Sequence, residues 1–128
     1  MEEHLLAIVG SGFALILVAD LIGNNIVFTN RIQNALVTSI IWGGLFFALN
    51  FLYARLNPPP LLLWDLDHFW KWAALGVILA FLADLIGNSI AFRSRYRNAI
   101  VTACIWAVAF YAIAVYLIWY WTGKLVVI

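Results

Sequence analysis

Four stretches of this 128-residue chain, residues 5–28, 31–55, 70–92 and 96–121, carry almost no charge and take up most of its length. A helix needs about 20 mostly apolar residues to cross the hydrocarbon core of a bilayer, so each stretch is long enough for one span. The composition agrees: 66% of the residues are apolar and 10% are charged, against roughly 25% charged in a soluble domain. Too few polar side chains are present to cover a water-exposed surface around a separate core. The expected fold is an all-α integral membrane protein with four transmembrane helices. Its expected partner is the lipid bilayer, and a net charge of +1 gives no sign of nucleic-acid binding. The chain starts Met1-Glu2-Glu3-His4, whereas a cleaved signal peptide starts with positive charge. The first span is therefore expected to be retained.

Turn residues separate the stretches. Thr29-Asn30-Arg31 breaks the first pair, and Arg93-Ser94-Arg95-Tyr96-Arg97 breaks the second. Between the pairs, Asn57-Pro58-Pro59-Pro60 stops any helix, because prolines lack the N–H donor and clash with the preceding turn.

The two pairs repeat one another. Ala19-Asp20-Leu21-Ile22-Gly23-Asn24 returns unchanged as Ala83-Asp84-Leu85-Ile86-Gly87-Asn88, 64 residues on. At the same shift Arg31, Asn34, Thr38 and Trp42 return as Arg95, Asn98, Thr102 and Trp106, and His4 returns as His68. The expected organisation is two tandem hairpin repeats. Residues 1–64 hold spans 5–28 and 31–55 with an outer linker at 56–64, and residues 65–128 hold spans 70–92 and 96–121. Each unit has an even number of spans, so both enter the membrane in the same direction. The repeats are then parallel, with a pseudo-two-fold axis along the membrane normal.

Short loops rich in Lys and Arg stay in the cytoplasm. The hairpin turns carry Arg31, Arg93, Arg95 and Arg97, and the opposite side carries Arg55, Lys71 and Lys124. The turns are expected to be cytoplasmic and both termini outside, in an inner (plasma) membrane. The mixed segment from Leu61 to Trp72 and the run Trp119-Tyr120-Trp121 suit the headgroup level, where aromatic rings anchor and carboxylates stay wet.

Asp20 and Asp84 are the only carboxylates inside the apolar stretches. Ionisable side chains at membrane depth are costly, and they face a bundle interior or a water-filled path. Asp20, Gly23 and Asn24 share one helix face by their i, i+3, i+4 spacing, and Asn34, Thr38 and Trp42 form an i, i+4, i+8 stripe on the returning helix. Counted from Thr29, Asp20 and Thr38 each lie nine residues away, or about 13 Å at the helical rise. Asn24 and Asn34 each lie five away. An antiparallel hairpin therefore sets Asp20 beside Thr38 and Asn24 beside Asn34. By the repeat, Asp84 lies beside Thr102 and Asn88 beside Asn98. Arg31, nearer the turn, can snorkel to the headgroups or reach back toward Asn24. Ala19 with Gly23, and Ala83 with Gly87, form small-xxx-small pairs that let backbones approach closely.

These eight polar residues admit two readings. As a site, they are two acid–amide–hydroxyl clusters facing one another, able to bind a proton, a small cation or a cationic substrate. As structure, they are interhelical hydrogen bonds, worth about 0.6 kcal/mol each on average. A carboxylate is a costly choice for adhesion alone, which favours a small transporter or channel. Four short helices enclose little, so the pathway is expected between protomers of a homo-oligomer. The alternative is an accessory subunit of a larger membrane complex. His4 and His68 lie sixteen residues before the acids, about 24 Å along a helix, and two imidazoles can ligate a metal or a haem. Two ligands alone fall short of a defined site, so no cofactor is expected. No nucleophile–base–orienter set is visible, and the chain is not expected to be an enzyme. Cys104, alone in an apolar run, is expected to be a small core residue.

Overall fold

Asn30 and Ser94 stand 64 residues apart, and each starts a helix. Asn30 Oδ1 accepts from the backbone N–H of Ile32 (3.0 Å) and of Gln33 (3.1 Å). Ser94 Oγ accepts from that of Arg97 (3.4 Å). Such side chains satisfy N–H groups that have no partner within the helix. In the computed structural model, which describes residues 5–56 and 69–123, the elements are α1 (Leu5–Ile26), α2 (Arg31–Leu56), α3 (Phe69–Ala91) and α4 (Arg95–Thr122). At the far end of α4, Gly123 takes a left-handed φ of 69° and donates to Trp119 O at 2.8 Å, the backbone state that glycine adopts without cost. Each of the four helices is long and apolar enough to cross a membrane.

The helices form a ring. α1 and α3 each pack against both α2 and α4, while α1 and α3 barely meet across the centre. Each hairpin therefore contacts the other hairpin as extensively as its own two helices contact each other.

At mid-height the ring is held by glycine and tryptophan. Trp42 Nε1 donates to Gly12 O (3.2 Å) within its own hairpin, and the far edge of its ring covers Gly76 of the other. Trp106 does the reverse: it donates to Gly76 O (3.1 Å) and covers Gly12. A Cβ at either glycine would overlap the indole. The two indoles lie 5.3 Å apart, and each stacks on a phenylalanine one turn along, Phe46 at 4.9 Å and Phe110 at 4.8 Å. Two large rings can thus fill the centre only because α1 and α3 present bare backbone there.

One expectation from sequence is corrected. Cys104 is exposed on the outside of α4. The outer surface is itself apolar, with Ile22, Ile40, Ile78 and Val108 exposed, so apolar neighbours do not indicate burial. At the ends of α3 and α4 remote from the turns, Trp72 is buried and packs on Phe110 (6.0 Å) and Trp121 (6.1 Å), whereas Trp70, Trp119, Tyr120 and Trp121 are exposed. Residues 57–68 lie outside the described residues.

The packing predicts opposite effects at different glycines. Gly12→Ala and Gly76→Ala drive a methyl into an indole and cost about 1–3 kcal/mol each. Gly10→Ala and Gly44→Ala point into open space and are neutral or stabilising by up to about 1 kcal/mol. Thermal unfolding of the detergent-solubilised variants measures both.

Candidate functional site

On α1 and α3 the repeated motif turns an acid and an amide toward the bundle axis, and α2 and α4 answer with a threonine and a second amide. Gly23 and Gly87 make this possible, because a Cβ at either would collide with Thr38 Oγ1 or Thr102 Oγ1. Asp20, Asn24, Asn34, Thr38, Asp84, Asn88, Asn98 and Thr102 are all buried. The eight residues expected from sequence as two clusters form one polar core.

The asparagines make the layer nearer the turns. Asn34 Nδ2 donates to Asn24 Oδ1 (2.8 Å), and Asn98 Nδ2 donates to Asn88 Oδ1 (2.6 Å). These are the within-hairpin pairs that counting from the turn predicts. Asn24 Nδ2 then crosses between hairpins, to Asn98 Oδ1 (3.2 Å) and to the backbone carbonyl of Arg95 (3.0 Å). Asn88 Nδ2 crosses the other way, to the carbonyl of Arg31 (2.9 Å). Asn34 Nδ2 also reaches Val27 O (2.5 Å), satisfying a carbonyl just past the end of α1. The result is a chain of amides linking all four helices.

One helical turn deeper lie the acids. Thr38 Oγ1 donates to Asp20 Oδ1 and Thr102 Oγ1 to Asp84 Oδ1, both at 2.9 Å. The two carboxyl groups and the two threonines lie close enough to act on one another as a single cluster. Among the described residues, no donor reaches Oδ2 of Asp20, Oδ2 of Asp84 or Oδ1 of Asn34. Among the described residues no basic side chain stands beside the buried acids: Arg31, Arg93, Arg95 and Arg97 are exposed at the turns, and Arg55 and Lys71 are exposed toward the opposite ends of their helices.

Aromatic rings close the axis on either side. Toward the turns, Phe28 and Phe92 meet at 4.5 Å. The Arg31 guanidinium lies over Phe92 at 5.4 Å, and that of Arg95 over Phe28 at 5.3 Å. Of the two places open to Arg31, the headgroup level and Asn24, its side chain does not take the second: it is exposed and lies over the Phe92 ring of the other hairpin, and only its backbone carbonyl joins the amide layer. On the other side, Trp42, Trp106, Phe46 and Phe110 fill the bundle. The two acid clusters, expected to face one another, lie together on the axis of one chain. His4 and His68, the candidate metal or haem ligands, lie outside the described residues.

Sequence reasoning missed Gly12, Gly76, Phe46, Phe110, Phe28 and Phe92 as parts of this core. All six are related by the 64-residue shift, which was the available signal. Comparison of the chain with protein-family models, with curated proteins and with solved structures finds no match in any of the three.

The amide layer predicts an asymmetric mutational response. Asn24→Leu removes both bonds from α1 to α4 and leaves the Arg95 carbonyl and Asn98 Oδ1 without that donor, costing about 1–2 kcal/mol. Asn25→Leu, on the exposed side of the same helix, costs less than about 0.5 kcal/mol. The comparison is read from denaturation of the two variants in one detergent.

Proposed function

We propose that this chain crosses a membrane four times as two parallel hairpin repeats, about a pseudo-two-fold axis along the membrane normal, and works as a small transporter or channel. The Asp20–Asp84 pair is its binding site, and a proton is the species that fits it best. One observation carries this reading: two fully buried carboxyl groups face each other, and among the described residues no basic side chain is beside them and no donor reaches the second oxygen of either.

Like charges held close together repel strongly where the dielectric is low, and a positive species held between them removes that repulsion. The meagre ligand set favours a proton, which two facing carboxyl groups can share without further ligands. A cation such as calcium takes 6–8 oxygens at about 2.3–2.6 Å, and these two acids with two threonines supply fewer. Thr38 and Thr102 each hold one carboxylate oxygen and so aim the other at the partner acid. The asparagine layer is the polar step between this pair and the turns. The basic residues Arg31, Arg93, Arg95 and Arg97 at the turns support a cytoplasmic location for them, with both termini outside. Both acids belong to one chain, so the route runs through a single bundle.

A second reading is favoured by the packed axis. The rings on both sides of the acids pack the described part of the axis, which suits an accessory subunit of a larger membrane assembly whose polar core serves adhesion.

Proton flux into reconstituted vesicles, followed with an internal pH dye, separates the two. The transport reading predicts flux in the wild type and at least about a tenfold loss in Asp20→Asn plus Asp84→Asn, with unfolding temperature nearly unchanged, since amides can replace the hydrogen bonds. Unchanged flux in the double variant ends that reading. A wild type with no flux that co-purifies in fixed ratio with unrelated chains supports the accessory role.

A further inference from the structure

The two hairpin turns share a backbone plan and differ in charge. Thr29, Asn30, Arg31, Ile32 and Gln33 in the first become Arg93, Ser94, Arg95, Tyr96 and Arg97 in the second. One guanidinium becomes three, all exposed. The carboxylates among the described residues, Asp20 and Asp84, are buried behind the amide layer, so nothing negative in the described part of the chain faces the three arginines. Topology alone would be served by charge on either turn.

Arg95 is also held in place. Its Nη1 donates to Asn25 Oδ1 at 3.0 Å, and its guanidinium lies over Phe28. The position equivalent to Asn25 is Ser89, whose hydroxyl donates within its own helix to Leu85 O. Beside Arg95 a cleft of about 320 Å³ opens between α1 and α4, lined by Leu21, Asn25, Arg95 and Tyr96. A guanidinium has five N–H donors in a planar fork, so Arg95 keeps most of them after bonding Asn25. That fork matches the paired oxygens of a phosphate, and Tyr96 adds a hydroxyl. The inner wall, Leu21, is apolar, and Ile22, Ile26 and Ile100 on the same two helices are exposed.

We propose that this cleft binds the headgroup of an anionic phospholipid. Its phosphate sits on the Arg95 fork with Arg97 and Arg93 supplying further positive charge, and its acyl chains run down the apolar outside of α1 and α4. The proposal rests on the membrane reading above and is independent of whether the acids carry a proton. Charge complementarity favours a phosphate, and the apolar wall continuing into exposed isoleucines favours one that carries acyl chains.

The test uses the full-length protein in mixed micelles and measures retained phosphatidylglycerol against phosphatidylcholine by native mass spectrometry. Phosphatidylglycerol is expected to be retained preferentially. Arg95→Gln is expected to lower its apparent affinity about fivefold, the loss of one basic contact near the headgroups. Arg31→Gln, at the equivalent place on the other turn, is expected to leave it within about twofold. Asn25→Ala keeps the charge and releases the guanidinium, so it separates a built site from simple attraction and is expected to weaken retention measurably. Equal losses in Arg31→Gln and Arg95→Gln would show diffuse attraction and overturn the site. Displacement of the lipid by millimolar inorganic phosphate would assign the cleft to free phosphate instead. A chain that fails to enter bilayers at all would remove the membrane reading itself, a result distinct from lost selectivity within a membrane-inserted chain.

Discussion

Two buried carboxyl groups meet on the axis of the bundle with no described basic side chain beside them, and the rest of the structure is arranged around that placement. In the membrane setting proposed here, helices gain little from burying apolar surface against one another, because lipid is equally apolar. Close packing and interhelical hydrogen bonds must hold the ring together. Thr38 and Thr102 bond the acids, Gly23 and Gly87 let those threonines approach, and the four asparagines tie each hairpin to the other. Every one of these groups sits on a helix face that points to the centre.

The same arrangement bears on how a proton would reach the acids. Toward the turns, the amide layer and the Phe28–Phe92 pair stand in the way. Toward the other end, four aromatic rings and two covered glycines do. The turn side is the shorter barrier, and part of it is already polar. It is also where Arg31 and Arg95 reach across to rings of the opposite hairpin, so any movement that separates the hairpins there releases both cations at once. The tryptophan layer, in contrast, ties α1, α2, α3 and α4 through reciprocal contacts and is suited to stay closed.

Much of this was legible in the sequence, and the reason is geometric. A hairpin with a short turn fixes its register, so counting outward from Thr29 pairs Asp20 with Thr38 and Asn24 with Asn34. Four apolar stretches mark four helices because nothing else can be made from them. What could not be read was which helix neighbours which across the halves. The bonds from Asn24 to Asn98 and to the Arg95 carbonyl depend on that arrangement, as does the seat of Trp106 on Gly12. Gly12 and Gly76 read as ordinary small residues until the ring that covers them is placed. Cys104 lies outside rather than in the core because the outside of this bundle is as apolar as its inside, so an apolar run does not say which of its residues are buried. Small residues at positions 12, 23, 76 and 87 bring the helices close enough for the two acids to meet inside one chain.

The central claim is that Asp20 and Asp84 of a single chain face each other. Solid-state NMR on protein carrying carbon-13 at the aspartate carboxyls, in bilayers and diluted with unlabelled chain, tests it most directly. The account predicts a through-space correlation between the two carboxyl carbons that survives dilution and disappears in Asp84→Asn. A correlation that fades on dilution would place the pair between chains, and none at all would show that the acids do not meet.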